Sequence, residues 1–182
     1  VIQMGENKKN VFNIGSLGNL GIIKNELYKK DYLDKYFNLN KHKYILVSIH
    51  PETINENNKD LIDNILKKLD SLDDTNIIFT SPNSDTGSDY IQKKIHMYVK
   101  KNSHSRFNES AGRKLYLSLL KNAWCIIGNS SSCLIEAPYL NTPTILVGNR
   151  QTGRPISSSV LVSNHNYNSI MKAFKKLKDK RF

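Results

Sequence analysis

Runs of consecutive apolar residues, each followed by a helical repeat, dominate the chain from residue 44 onward. Such runs are expected where both faces of a sheet are covered, because a strand with one solvated face alternates apolar and polar residues. Repetition of strand and helix favours parallel strands joined by helical crossovers. The pattern therefore predicts an α/β fold, a doubly wound parallel sheet of about six strands, at YILVSI (44–49), NIIFTS (76–81), HSRFNE (104–109), WCIIG (124–128), TPTILVG (142–148) and SSVLVS (158–163).

Helices are predicted where apolar residues recur at helical spacing. The predicted helices are 25–37, 61–69, 90–98, 113–123, Ser131 to about Leu140, and a last helix near the carboxyl end. The residues expected to face inward are Leu61, Ile62, Ile65, Leu66 and Leu69 in the second helix, Tyr90, Ile91, Ile95 and Tyr98 in the third, and Met171, Phe174 and Leu177 in the last. Residues 1–40 do not fit the strand and helix repeat, and VFNIGSLGNLGI within them has the glycine spacing of a loop or hinge. We therefore divide the chain into a connecting segment (1–40), a main domain (41–165) and a basic amphipathic helix (166–182).

The net charge of +11 is concentrated near the carboxyl end, where residues 151–182 hold seven Lys or Arg against one acid. A solvated lysine face explains this distribution, and a non-catalytic basic binding module that contacts nucleic acid is the alternative. We consider nucleic acid an unlikely partner, since no zinc finger, RNP-type strand or convincing helix-turn-helix is present. No apolar run reaches membrane-spanning length and the start does not resemble a signal peptide, so we predict no membrane contact and a cytoplasmic location.

Polar and cationic residues follow the predicted strands, at the edge of a parallel sheet where ligands bind. Here Gly128 and Asn129 lead into Ser130, Ser131 and Ser132, with an apolar segment behind them. This is the composition of a helix N-terminus that attracts a phosphate, although one of these residues would suffice as an ordinary helix cap. Cys125 and Cys133 are interpreted as packing residues, because a disulfide or metal site lacks partners.

Three further side chains at this edge have two interpretations each. Glu136 can accept the hydroxyls of a ribose, or it can be a solvent-facing glutamate near a helix start. His50, which directly follows a strand, can stabilise a diphosphate as imidazolium or protonate a leaving oxygen, whereas a lone histidine is usually structural. Arg150 and Arg154 suit phosphate or carboxylate but are equally ordinary loop residues. Gly128 to Ser132 is not the nucleophile elbow of a hydrolase.

The segments VSIHPET, SPNSDTG, GRKLYLSLLKNA and GNSSSCLIEAPYLNTPTILVGNRQTGRP resemble the carboxyl-terminal half of UDP-N-acetylglucosamine 2-epimerases. The forms PN-x-D-x-G and G-x-RQ-x-GR resemble the hydrolysing branch, which makes N-acetylmannosamine or a derivative for sialic-acid-type sugars. The resemblance runs from about residue 10 to the end. It implies one Rossmann-like half of a two-domain glycosyltransferase-like (GT-B) fold, with the UDP-sugar held between the halves.

Carried over by position, the resemblance gives His50 a contact to the diphosphate and a role in the departure of UDP. It assigns Ser130 and Ser131 to phosphate, Glu136 to the ribose, and the loop from Ser110 through Ala111 to Gly112 to the uracil. It also places Asn83, Asp85 and Arg150 in the cleft. Cys133 departs from the pattern, since the family usually has Gly there, and its side chain would either crowd the turn or pack.

The resemblance also implies a reaction, the anti-elimination of UDP to a 2-acetamidoglucal followed by water addition with inversion at C2. It implies UDP or UDP-N-acetylglucosamine as the ligand and a homo-oligomer for the full-length enzyme. It implies neither a metal nor a redox cofactor. The acidic residues that move the C2 proton belong to the amino-terminal half of the family. We therefore expect this chain to be a nucleotide-binding half, inactive alone, with the donor-binding half of a UDP-sugar glycosyltransferase as the alternative enzyme.

Overall fold

The protein forms a six-stranded, wholly parallel sheet with strand order β3-β2-β1-β4-β5-β6. A computed structural model describes residues 1–16, 18–19, 22, 26–40, 43–52 and 58–179. The strands are β1 (Tyr44–Ser48), β2 (Asn76–Thr80), β3 (Ser105–Asn108), β4 (Cys125–Gly128), β5 (Thr144–Val147) and β6 (Val160–Ser163). The predicted doubly wound parallel sheet is confirmed, and each strand is one to three residues shorter than its apolar run because the flanking polar residues belong to connections.

Helices cover both faces of the sheet. They are α1 (Lys30–Tyr36), α2 (Asn58–Leu69), α3 (Ser88–Lys101), α4 (Gly112–Asn122), α5 (Glu136–Tyr139) and α6 (Tyr167–Lys178), with short 3₁₀ turns at Ile2–Met4, Lys8–Asn10 and Ser131–Cys133. Within β1, Ile45 and Val47 point to one face of the sheet and pack against α2, α3 and α6. Tyr44 and Leu46 point to the other face and pack against α1 and α4. Successive side chains of a strand point to opposite faces, so burial on both sides explains the absence of apolar and polar alternation.

Helix α6 buries two of its three predicted inward residues, Phe174 and Leu177, but not Met171. Its buried residues are Ile170, Ala173, Phe174 and Leu177, while Met171 is 37% exposed. This spacing covers one face of a 3.6-residue repeat, whereas the spacing that suggested Met171 does not. In α3, Tyr90 is likewise exposed, and the predicted inward residues Ile91, Ile95 and Tyr98 are buried. The basic residues of α6 lie outside its buried face.

The predicted helix from Ser131 to Leu140 is wrong. A 3₁₀ turn at Ser131–Cys133 is followed by the one-turn helix α5. Pro138 accounts for the break, because a proline inside a continuous helix cannot donate to the carbonyl four residues earlier, but it is tolerated in a first turn. Asn141, at φ 57°, then ends the segment.

The predicted helix over 25–37 begins only at Lys30. Residues 26–29 are not helical, and residue 25 lies outside the described part of the chain. The backbone N–H of Tyr28 donates to Ser118 Oγ (2.8 Å), and its carbonyl accepts from Asn122 Nδ2 (3.3 Å). These bonds from α4 occupy the backbone groups that a longer helix would use, so a tertiary contact overrides the local pattern.

The predicted hinge at residues 11–22 lies partly outside the described residues, as does the end of the chain beyond residue 179. Residues 11–16 are described and form no regular helix or strand. Because α6 shares a hydrophobic cluster with β1, α2 and β5, it packs as part of the main sheet layer. The three-part division of the chain stays a prediction.

Candidate functional site

The strand order reverses between β1 and β4, which are neighbours at the centre of the sheet. In open parallel sheets, ligands bind at the carboxyl ends of the strands at this position. Ser48 and Gly128 lie opposite each other as the last residues of the two strands. Gly128 has φ +149°, and a Cβ there would overlap the backbone of Ser48, so only glycine lets the two strands pair to their ends.

A cleft of about 300 Å³ opens at this point of the sheet. Its lining residues come from the ends of β1, β2 and β3, from the four connections after β1 to β4, and from α4. They are Ser48, His50, Thr80, Ser81, Asn108, Glu109, Ala111, Gly112, Tyr116, Ser130 and Ser132. The structure therefore brings together four of the predicted site residues: His50, Ala111, Gly112 and Ser130. Ser110 is exposed and does not line this cleft, and neither do Ser131 and Glu136.

His50 is held by its neighbour across the sheet edge. Its Nδ1 accepts the backbone N–H of Asn83 at 3.0 Å, which places the imidazole proton on Nε2. Burial lowers the pKa of His50, and the nearby charge of Arg150 lowers it further. In the unliganded site the lowered pKa favours the neutral ring, which offers an Nε2–H donor. The role of His50 at a diphosphate stays a prediction.

Asn129 fixes the backbone of His50 through both ends of its amide. Its Oδ1 accepts the N–H of His50 and its Nδ2 donates to the His50 carbonyl, each at 2.8 Å. Asn129 is fully buried. Its own carbonyl accepts from Gln151 Nε2 at 2.9 Å. Asn129 thus links the connections after β1 and β4 through its side chain and the connection after β5 through its carbonyl, and gives His50 a fixed position.

Asn83, Asp85 and Arg150 meet beside His50. Arg150 Nη2 lies 3.9 Å from Asp85 Oδ2, and Arg150 Nη1 lies 3.5 Å from the carbonyl of Asn129. Asn83 Nδ2 donates to Asp85 Oδ2, while Asn83 Oδ1 is buried and has no hydrogen-bond partner. Arg154, by contrast, is exposed. A guanidinium with one long ion pair, next to an imidazole donor, can accept a further anion.

The serine run forms a turn in which the residues have different tasks. Ser130 is buried, and its Oγ accepts the N–H of Ser132 at 3.3 Å. Ser130 is therefore the cap, while the half-buried Ser131 starts the 3₁₀ turn. Cys133 is fully buried in the core, and burial raises the pKa of its thiol to about 12. Of the two outcomes considered for Cys133, packing is the one the structure shows.

Glu136 begins α5 directly behind this turn. Its Oε2 atom is buried and has no hydrogen-bond partner. Glu136 as a whole is half-buried, so the interpretation as a solvent-facing glutamate does not account for Oε2, since an inaccessible carboxylate oxygen without a donor is costly. The lone pairs of this oxygen need donors that the described part of the chain does not supply.

Sequence reasoning missed four residues at this edge: Glu52, Tyr116, Asn129 and Gln151. Tyr116 lines the cleft between Ser48 and Ser132, and burial raises the pKa of its phenol. Glu52, Asn129 and Gln151 are buried polar side chains whose partners lie on other connections. A polar residue directly after an apolar strand was the available signal, although the pairing itself depends on contacts far apart in the chain.

The described residues contain no cluster of three or more His, Cys, Asp or Glu side chains arranged to hold a metal ion. None of the helices in the described ranges combines the length and the apolar character that crossing a bilayer requires.

Comparison with known proteins agrees with the fold. The family profile described as UDP-N-acetylglucosamine 2-epimerase matches residues 1–182. The chain is 41% identical over 187 residues to the GDP/UDP-N,N'-diacetylbacillosamine 2-epimerase (hydrolyzing) of Campylobacter jejuni, covering 100% of the chain and 48% of the relative. It is 39% identical over 185 residues to the polysialic acid biosynthesis protein P7 of Escherichia coli, covering 100% and 47%.

Among solved structures, the UDP-N-acetylglucosamine 2-epimerase of Methanocaldococcus jannaschii in complex with UDP-N-acetylglucosamine and UDP superposes with a TM-score of 0.62 at 22% identity, covering 100% of the chain and 52% of that structure. This similarity shows the fold, the Rossmann-like half of a GT-B arrangement. The chain spans about half the length of the curated relatives it matches. It belongs to the UDP-N-acetylglucosamine 2-epimerase family and corresponds to the carboxyl-terminal half of its hydrolysing members.

Proposed function

We propose that this chain is the nucleotide-sugar-binding half of a hydrolysing 2-epimerase that converts UDP-N-acetylglucosamine to N-acetylmannosamine and UDP for sialic-acid-type sugars. One observation carries the proposal. The cleft at the β1 and β4 strand ends is lined by the imidazole of His50 and by Ser130 and Ser132 of the serine turn, and the guanidinium of Arg150 lies beside His50. These groups can bind a diphosphate, and relatives named as 2-epimerases share the whole chain.

In this proposal the diphosphate lies between the serine turn and His50. The hydroxyl of Ser131 and the leading N–H groups of Ser130 and Ser131 donate to one phosphate, because the first N–H groups of a turn have no partner within it. The Nε2–H of His50 and the guanidinium of Arg150 donate to the other. The helix dipole contributes little here, because α5 has only one turn.

The nucleoside then extends away from His50. The unpartnered Oε2 of Glu136 accepts a ribose hydroxyl, which supplies the donor that this buried oxygen lacks. The Ser110 to Gly112 loop lies at the far side of the cleft and receives the uracil, with Ala111 and Gly112 as its lining residues. Asn83 and Asp85, on the connection after β2, face the sugar side of His50.

The proposed chemistry begins with departure of UDP. As the bond between C1 and the diphosphate oxygen breaks, negative charge grows on that oxygen, and a donor placed there stabilises it more in the transition state than in the substrate. His50 has a fixed ring orientation and a proton on Nε2, which suits this task. We place the groups that remove the C2 proton and return it, with inversion, in an amino-terminal half. We accordingly expect binding without turnover from the present chain, and a homo-oligomer for the full-length enzyme.

Isothermal titration calorimetry with UDP and UDP-N-acetylglucosamine tests the binding step. We expect saturable binding that weakens at least tenfold in Arg150→Ala, since a charge-assisted hydrogen bond contributes about 1.5 to 3 kcal/mol. Arg154→Ala is the matched control, because it removes the same group from an exposed position in the same loop. Absence of UDP binding by the wild-type chain, or equal losses in the two variants, would contradict the proposal.

A further inference from the structure

Glu52 is a buried carboxylate two residues after His50, and it does not line the cleft. Its side chain is 4% exposed. A carboxylate at this depth must be compensated by donors, because burial of an unpaired charge is very costly. One donor comes from the connection after β5, the backbone N–H of Asn149 at 3.1 Å from Oε1. Nε2 of His165 lies 3.2 Å from Oε2, at ion-pair distance but without a hydrogen bond.

The backbone of Glu52 is anchored as firmly as its side chain. Its N–H donates to Asn58 Oδ1 at 2.7 Å, and its carbonyl accepts from Asn58 Nδ2 at 3.4 Å, at the start of α2. Gly148 gives independent evidence of close packing here. It has φ +84°, and a Cβ there would overlap Glu52 Oε1 and His165 Nε2. The connection after β5 therefore passes against the carboxylate with no room for a side chain.

The connection after β5 is anchored first at Asn149 and again two residues further on, at Gln151. Gln151 Nε2 donates to the carbonyl of Asn129, the residue that also fixes the backbone of His50. Arg150 lies between the two anchored residues, Asn149 and Gln151. Its guanidinium extends toward Asp85 and His50. Release of the first anchor would free the backbone on one side of Arg150.

We propose that Glu52 is a positioning residue that holds Arg150 at the diphosphate through the N–H of Asn149. The proposal rests on the proposed function for the identity of the ligand. Glu52 contacts no substrate in this arrangement. Its carboxylate fixes the distance between the connection that carries His50 and the connection that carries Arg150. The imidazole and the guanidinium can therefore reach the same anion without rearrangement on binding.

The first measurement needs no ligand. Hydrogen exchange of the Asn149 amide, followed by NMR, should be at least tenfold faster in Glu52→Ala than in the wild-type chain, because its acceptor is removed. Glu52→Gln keeps an oxygen acceptor and should stay within about threefold of wild type. It also guards against a folding failure of Glu52→Ala. Unchanged exchange in Glu52→Ala would overturn the inference, whatever the chain binds.

The second measurement is a double-mutant cycle on UDP affinity. Glu52→Ala should weaken UDP binding about tenfold in the wild-type background, and less than twofold when Arg150 is already alanine, because the two residues act through one contact. A purely structural role of Glu52 predicts the same loss in both backgrounds and would overturn the proposal. Absence of UDP binding by the wild-type chain would instead contradict the proposed function, and the exchange measurement would still decide the role of Glu52.

Discussion

Glu52, which is buried, and Glu136, which is half-buried, are two carboxylates at the same edge of the sheet with different surroundings. Oε1 of Glu52 accepts the N–H of Asn149, and its Oε2 lies 3.2 Å from His165 Nε2. Glu136 has an inaccessible Oε2 without any partner. A carboxylate whose lone pairs are filled by its own chain stabilises the fold, and one whose lone pair is left open suits an external donor. The contrast predicts that Glu52 supports the fold and that Glu136 binds a ligand.

The largest expected effect is on the stability that Glu52 contributes. Glu52→Ala should lower the free energy of unfolding by about 3 kcal/mol, because it removes one member of a buried pair and leaves the N–H of Asn149 without an acceptor. Urea denaturation followed by circular dichroism measures this change. Glu136→Ala should cost less than about 1 kcal/mol in the same assay, since its Oε2 makes no bond to lose. Equal costs would remove the distinction between the two carboxylates.

The next effect concerns ligand binding by Glu136. Glu136→Ala should weaken UDP binding by about 10- to 100-fold, because a hydrogen bond between a hydroxyl and a carboxylate contributes about 1.5 to 3 kcal/mol. Calorimetry with UDP and with 2'-deoxy-UDP measures it. Glu26→Ala, the same substitution at an exposed position, is the control. If Glu136→Ala keeps the wild-type ratio of affinities for UDP and 2'-deoxy-UDP, Glu136 does not bind the ribose.

A smaller effect separates two neighbouring serines in the same way. Ser130→Ala should lower the free energy of unfolding by about 1 kcal/mol, because its hydroxyl caps the turn by accepting the N–H of Ser132. Ser131→Ala should leave stability within about 0.5 kcal/mol and weaken UDP binding instead. Thermal melts and calorimetry on both variants test the division of tasks. The reverse pattern would exchange the roles of cap and ligand contact.

The smallest effect is a pH dependence that originates at His50. Burial and Arg150 lower its pKa in the free chain, and a bound diphosphate should raise it, since an anion favours the protonated ring. UDP-N-acetylglucosamine affinity should therefore be highest below the pKa of the free chain and fall as pH rises through the pKa of the complex. Each unit of pKa difference corresponds to about a tenfold range in affinity. The sugar nucleotide avoids titration of a terminal phosphate, and His50→Gln should give a flat profile.

Much of the sheet could be predicted because burial on both faces leaves a local signature. Each of Tyr44, Ile45, Leu46 and Val47 is buried, so the strand is apolar along its whole length. The errors occurred where distant groups decide the local structure. Tyr28 is held outside a helix by Ser118 and Asn122, residues of α4 that no local pattern connects to it.

The site residues that follow strands could likewise be predicted, whereas the contacts between distant residues could not. His50, Ala111, Gly112 and Ser130 follow strands directly, so the rule for parallel sheets brings them to one cleft. The hydrogen bonds between Asn129 and His50 join residues 79 positions apart, and no periodicity reports such a pair. The neutral state of His50 also required the structure, because it depends on the depth of the ring and on the position of Arg150.

The pairing of β1 with β4 also bears on how the chain folds. Contacts between β1 and β2 join residues about 33 positions apart, as in the bond from Thr80 Oγ1 to the Val47 carbonyl, whereas the edge of β1 and β4 joins residues 79 apart. Closing a longer loop costs more entropy before any contact compensates for it, and non-local pairing slows folding. The cleft lies on this long-range pairing, so a refolding chain should gain its β1 to β3 layer first and its affinity for a nucleotide last.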